Sequence, residues 1–169
     1  GVRERVISDG SVRTPMEDAD VRAACELFRK EGVETVAISF VWSVLNPEHE
    51  RRAAAIVRRM LPNAILTVGS ELYPQVREYT RTSTAVVNAY LAPVMRRYVT
   101  AVDAYFRSLG AKQPVRYFQS NGGLAIGQAM TDRSVYAINS GPALTDCSIT
   151  FRSIRCGCEG KINTPSIMS

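Results

Sequence analysis

Apolar and polar positions recur along this chain with two periods, and the switches between them mark its elements. The opening R-E-R-V-I-S-D-G-S-V-R alternates around Asp9-Gly10 and reads as a hairpin. Thr14-Pro15-Met16-Glu17 then spells a capping box with proline at the first helical position. The helix that follows puts Val21, Ala24, Leu27 and Phe28 on one face and ends at Gly32. Next, V-E-T-V-A-I-S-F-V-W is rich in β-branched residues and nearly continuous in apolar character, as a strand buried on both faces of a parallel sheet would be. Asn46-Pro47 caps a second helix with an inner face of Ala53, Ile56, Val57 and Met60, and Leu61-Pro62-Asn63 breaks it. A-I-L-T-V, Ala64 to Val68, is a second short strand. Strand, helix, strand in this order predicts a βαβ unit in an α/β domain.

A long helix is predicted over about 82–109, with Val87, Leu91, Val94, Tyr98, Val102, Tyr105 and Leu109 recurring every three or four residues. Pro93 sits inside the pattern, so a kink or break is expected there. V-R-Y-F-Q then reads as a strand, S-N-G-G as a turn, L-A-I-G-Q-A-M as a short helix and V-Y-A-I-N as a last strand running into S-G-P. From Leu144 to Ser169 the period disappears and Ser, Thr, Cys, Gly, Arg and Ile dominate. This stretch is expected to be an irregular tail.

Composition narrows the class. The chain has 169 residues, 46% hydrophobic and 22% charged, which suits one globular domain or a piece of a larger one. No apolar run is long enough for a membrane span, and the first residues carry no export signal. Gly1 in place of Met suggests a start inside a longer gene product or after a removed tag. These readings predict a cytoplasmic protein. The net charge of +5 comes almost wholly from arginine, with Lys30, Lys112 and Lys161 the lysines. The arginines are dispersed among acidic residues, as on solvated helix faces, and no nucleic-acid motif accompanies them, so neither a nucleic-acid nor a membrane partner is expected.

Candidate chemistry concentrates in three places. Ser70 to Tyr90 gathers Arg77, Glu78, Tyr79, Arg81, Thr82, Ser83, Thr84 and Asn88 around a helix start. Such a start can hold an anion or polar ligand, or the same residues can form a buried network tying the helix to the sheet; spacing alone favours the network. Gln119 to Leu124, with Ser120, Asn121, Gly122 and Gly123, ends a strand where α/β sheets bind ligands, and it reads equally as a simple turn. Ser140-Gly141-Pro142 has the same two readings. His49 is the only histidine, and its place in a first helical turn predicts a solvated or capping role. Cys147, Cys156 and Cys158 lack paired zinc spacing, so no metal ligand set is expected, although a thiol–metal module built on the tail is a separate reading.

In order, G-V-R-E-R-V, T-P-M-E-D-A-D-V-R-A-A, A-I-S-F-V-W-S-V-L-N-P-E-H-E, S-E-L-Y-P-Q-V-R-E-Y-T-R-T-S-T-A-V-V-N-A-Y-L, Q-S-N-G-G-L and S-G-P-A resemble the hydantoinase A/5-oxoprolinase family. That family includes ATP-dependent N-methylhydantoinase and 5-oxoprolinase, with related acetone and acetophenone carboxylase subunits. The resemblance covers residues 1–143. It implies an actin/sugar-kinase-like (ribonuclease H-like) ATPase fold, with 1–69 ending an N-terminal domain, 70–143 starting the core domain and 144–169 non-homologous. It also implies ATP-driven opening of a cyclic amide, ATP and a divalent metal such as Mg in the parent protein, and a partner subunit of the hydantoinase B type.

Arg77, Glu78, Tyr79, Arg81, Thr84, Asn88 and Tyr90 match the family's R-E-Y-x-R-x-x-T-x-x-x-N-x-Y motif. Ser120, Asn121, Gly122 and Gly123 match Q-S-N-G-G, and Ser140, Gly141 and Pro142 match S-G-P. The resemblance places the last two groups beside the inter-lobe cleft and assigns no catalytic residue. The family's D-x-G-G-T and H-G-T-T stretches and its second Gly-Gly-Thr loop have no counterpart in these residues. The chain is therefore expected to be a central fragment, inactive alone and without strong ATP binding, whose tail after Ala143 is frameshifted or otherwise foreign. A carboxylase-subunit fragment and a non-catalytic docking module built on the long helix are the alternative readings.

Overall fold

The computed structural model describes residues 1–140. The opening hairpin forms as expected: β1 (Arg5–Val6) pairs antiparallel with β2 (Val12–Thr14), with Gly10 at positive φ in the turn. Helix α1 (Asp18–Lys30) begins later than the capping box predicts. Thr14 is held in β2, and the Glu17 N–H bonds to the Arg3 carbonyl at 3.0 Å, so the hairpin has already claimed the residues of the box. Gly32 closes α1 in the left-handed region while the Val33 N–H returns to the Phe28 carbonyl, a Schellman motif. Val21 and Cys25 are its buried residues, and burial pushes the Cys25 thiol up. Leu27, expected inside, is 54% exposed because the buried stripe turns on Val21 and Cys25.

The βαβ unit is present: β3 (Thr35–Ile38) and β4 (Ile65–Val68) are parallel, in register from Thr35↔Ile65 to Ile38↔Val68, and α2 (Glu48–Met60) crosses between them. Val36, Ile38 and Val68 face Val21 and Cys25 of α1 and Ala53, Ala54, Ile56 and Val57 of α2 in one hydrophobic core. Burying a side chain of this size contributes roughly 1.5–3 kcal/mol. β3 is not covered on both faces as its composition suggests, since Ala37 is exposed between buried neighbours. His49 is also placed differently from expectation. It is buried, and its Nδ1 lies 3.0 Å from Glu4 Oε2, because the first turn of α2 packs beneath the hairpin rather than into solvent.

After a four-residue helix α3 (Gly69–Leu72), α4 runs from Glu78 to Ser108 and packs on the sheet face opposite α1 and α2. It passes through Pro93 without ending. A proline inside a helix costs about 3 kcal/mol, and here buried residues lie on either side of it, Asn88, Ala89 and Ala92 before and Val99 after. The buried side of α4 is Arg81, Ala85, Asn88, Ala89, Ala92 and Val99, not the aliphatic–aromatic stripe that periodicity singles out. Val94 and Tyr98 of that stripe are each 54% exposed. Small residues win the interface because a helix lying flat on a two-stranded sheet needs close approach.

The carboxy-terminal part departs most from expectation. β5 (Arg116–Phe118) pairs antiparallel with β6 (Leu124–Ile126), so L-A-I is a strand and α5 starts only at Gly127 (Gly127–Asp132). V-Y-A-I-N is not a strand: Ser134–Ala137 form one 3₁₀ turn, with the Asn88 side chain accepting the Val135 N–H at 3.0 Å. At the α4–β5 contact, Tyr117 donates to Asp103 Oδ1 at 2.7 Å, and burial with that bond pushes its phenol well above the usual range. Gly141, Pro142 and the three tail cysteines lie outside the described residues.

Candidate functional site at the strand ends

In parallel sheets, ligands bind beyond the carboxyl ends of strands. Here the ends of β3 and β4 meet the start of α4, and two buried charged side chains hold backbone groups of the loops between them. Glu50, fully buried in the first turns of α2, accepts the Phe40 N–H at 2.8 Å and the Ser70 N–H at 2.9 Å. Arg81, fully buried on α4, donates to the Phe40 carbonyl at 2.8 Å and the Gln75 carbonyl at 3.1 Å. The Ser39 and Thr82 hydroxyls are 2.7 Å apart. Gly69 fits the seam because a Cβ there would stand 3.2 Å from the Ile38 carbonyl and 3.3 Å from Ser39 Oγ. A buried guanidinium with backbone carbonyls as its partners is costly to hold unless its neighbours fix it.

Among the described residues, Ser43 Oγ, Ser70 Oγ, Glu78 Oε1 and Arg81 Nε are buried side-chain atoms without a hydrogen-bond partner. All four belong to the loop after β3, to α3 or to the start of α4; a fifth such atom, Asp18 Oδ1, stands apart on α1 beside Arg52. Buried polar atoms in native proteins are satisfied in the large majority of cases, so such a grouping marks a place for a polar ligand or further protein.

The motif residues separate into distinct roles. Arg81 and Asn88 are structural anchors: the Asn88 amide donates to Thr67 Oγ1 at 3.0 Å and the Asp132 carbonyl at 3.1 Å. Thr84 spends its hydroxyl on the Thr80 carbonyl. Arg77 is exposed with φ at 112°, while Tyr79 and Tyr90 stand in solvent. Ser120, Asn121, Gly122 and Gly123 form the β5–β6 turn, with Gly122 at positive φ. There the Gly122 N–H bonds to the Gln119 carbonyl and the Gly123 N–H to Asn121 Oδ1. The Ser120 N–H bonds to the Tyr136 carbonyl, four residues before half-buried Ser140. Among the described residues no hydrogen bond joins this turn to the start of α4. Glu50 escapes a motif reading, yet its spacing to Ala53, Ala54 and Val57 puts it on the inner face of α2.

A strand-end site on a parallel βαβ unit is the architecture of ligand-binding α/β domains. Family models described as Hydantoinase/oxoprolinase N-terminal region and Hydantoinase/oxoprolinase match residues 1–61 and 81–146. The chain belongs to the hydantoinase/oxoprolinase family. It is 61% identical over 139 residues to caprolactamase subunit alpha of Pseudomonas jessenii, covering 82% of this chain and 20% of that one. The crystal structure of ATP-dependent caprolactamase from that organism superposes with a TM-score of 0.80 at 60% identity, over 84% of this chain and 20% of the other. Acetophenone carboxylase gamma subunit of Aromatoleum aromaticum is 32% identical over 130 residues, 74% of this chain and 18% of that one. The chain thus spans about a fifth of the length of these relatives. No helix among the described residues is long and apolar enough to cross a membrane.

Proposed function

We propose that this chain is a segment of an ATP-dependent hydrolase that opens a cyclic amide, and that the ends of β3 and β4 with the start of α4 form one wall of its ligand cleft. The observation that carries this reading is the 61% identity to a caprolactamase subunit, nearly twice the identity to the carboxylase subunit. In the cleft, Arg81 and Glu50 fix the loop after β3, while Arg77 and Glu78 stand at its rim. We assign Ser120, Asn121, Gly122, Gly123 and Ser140 to the border of the cleft from the second half of the chain, while Gly141 lies outside the described residues.

The described residues do not fit the group that ATP would require. The Gly122 and Gly123 N–H groups are both spent inside their own turn, so the turn does not present them to a phosphate. No cluster of His, Cys, Asp and Glu among the described residues could hold a metal ion. We assign phosphate and Mg binding to other parts of the parent protein, with this segment supplying shape and polar contacts. Two of its relatives are an alpha and a gamma subunit, which supports assembly with a partner subunit of the hydantoinase B type. We place the protein in the cytoplasm.

The test is a chimera in which the matched residues replace their counterpart in the Pseudomonas jessenii alpha subunit. ATP hydrolysis stimulated by caprolactam, hydantoin or 5-oxoproline is the expected result. A folded chimera that responds only to acetone or acetophenone would move the segment to the carboxylase branch. A second reading, in which α4 is a docking face, is supported by the exposure of Val94 and Tyr98 and is compatible with the first.

A further inference from the structure

The hairpin and the strand-end site are joined through the first turn of α2. At the start of the hairpin, Glu4 Oε2 lies 3.0 Å from His49 Nδ1. A carboxylate oxygen only accepts, which puts the proton on Nδ1. Both side chains are 7% exposed, so neither can exchange this partner for water without cost. At the hairpin turn, the Gly10 carbonyl accepts from the Asn46 amide at 3.0 Å, and a Cβ on Gly10 would stand 3.6 Å from Leu45 Cβ. Asn46 turns its own side-chain oxygen to the Glu48 N–H at 3.2 Å.

Glu50 follows His49 directly and lies about 100° further round the helix, so the two side chains meet different neighbours. His49 meets the hairpin, while the two oxygens of Glu50 take the Phe40 and Ser70 N–H groups. A first helical turn is prone to fray, because its N–H groups lack intrahelical partners. Pro47, at the N-cap, makes no side-chain hydrogen bond to close it. The bonds from Asn46 and His49 to the hairpin hold this turn in place of a cap.

The loop after β3 is thereby fastened at both ends. Phe40 is held by Glu50 and Arg81, and Asn46 by the hairpin. Between them Trp42 adopts a φ of 57°, and its carbonyl accepts both the Leu45 and the Asn46 N–H. A bulky residue keeps such a conformation only where its surroundings fix the backbone.

We propose that His49 is a positioning residue: it transmits the place of the hairpin to Glu50 and so sets the loop after β3 for its ligand. The ligand-facing half of this role rests on the cleft proposed above; the transmission itself does not. Neither Glu4 nor His49 bonds to Phe40 or Ser70, so an effect on those two must pass through the first turn of α2.

Amide exchange at Phe40 and Ser70 tests it, with Ile38, paired inside the sheet, as the control. Loss of overall stability speeds Ile38 at least as much as the other two, whereas release of Glu50 speeds Phe40 and Ser70 alone. His49→Leu and, from the hairpin side, Glu4→Leu should each speed Phe40 and Ser70 by at least about 10-fold more than Ile38. His49→Asn puts an amide nitrogen close to the place of Nδ1 and should restore both. If the chain does not fold alone, the same amides are read in the chimera described above. In that chimera His49→Leu should raise the KM for caprolactam at least about 5-fold with a smaller change in kcat, and His49→Asn should reverse it. Exchange at Phe40 and Ser70 that never outpaces Ile38 would overturn the proposal. Faster exchange with an unchanged KM would overturn its ligand-facing half. A folded chimera that hydrolyses ATP without responding to any cyclic amide would sink the hydrolase reading instead, and the exchange result would still decide the role of His49.

Discussion

Glu50 and Arg81 hold the two backbone polar groups of one residue, Phe40: the carboxyl group takes its N–H and the guanidinium its carbonyl. Neither side chain needs to touch the other to be coupled, because both act on the same loop. Replacing Arg81 with Ala leaves the Phe40 and Gln75 carbonyls unpaired, and should cost about 3–5 kcal/mol in urea unfolding. Glu50→Gln sets an amide donor against one of two N–H groups and should cost about 1–3 kcal/mol. In a double-mutant cycle, coupling of about 0.5–3 kcal/mol is expected; additivity would mean that the shared loop transmits nothing.

Asn88 uses both ends of its amide to join β4, the end of α5 and the 3₁₀ turn. Asn88→Asp puts an acceptor against the Asp132 carbonyl and should destabilise by about 2–4 kcal/mol, more than Asn88→Ala. Thermal unfolding of the two variants checks the order.

Gly127 is required by contact rather than by its dihedral angles. A Cβ there would meet Val99 Cγ1 at 2.6 Å and Asp103 Oδ2 at 2.9 Å. Gly127→Ala should cost about 1–3 kcal/mol, and Val99→Ala in the same chain should recover part of the loss. Separate and combined variants compared by chemical denaturation give the answer.

Arg3 donates to both carboxyl oxygens of Asp20, holding that carboxyl down at about 2. The folded value lies below the ordinary 3.8, so the pair's contribution is present above about pH 4 and is lost as pH falls through about 2. NMR titration of Asp20 should show this midpoint, and Arg3→Gln should return it toward 3.8.

The βαβ unit was legible because its strands are apolar runs and α2 carries a clean inner face at Ala53, Ile56 and Val57. The buried side of α4 was not, because hydrophobicity pointed to Val94 and Tyr98 while the interface selects small residues and two polar anchors. The motif reading did name Arg81 and Asn88, and both are buried and hydrogen-bonded between α4 and its neighbours. Glu50 went unnamed because a charged residue at an inner-face position is normally discounted. The L-A-I and V-Y-A-I-N segments are too short for periodicity to separate strand from turn, and pairing with β5 decided the first.

Arg81 reaches back 41 positions to Phe40. The buried cluster of α1, α2, β3 and β4 is drawn from residues up to Val68, but the loop after β3 has no guanidinium to hold it until α4 begins. During synthesis, therefore, the βαβ layer should form before its ligand-facing loop is fixed, and a nascent chain that has emerged as far as Val68 but not Arg81 would pair β3 with β4 around an open mouth.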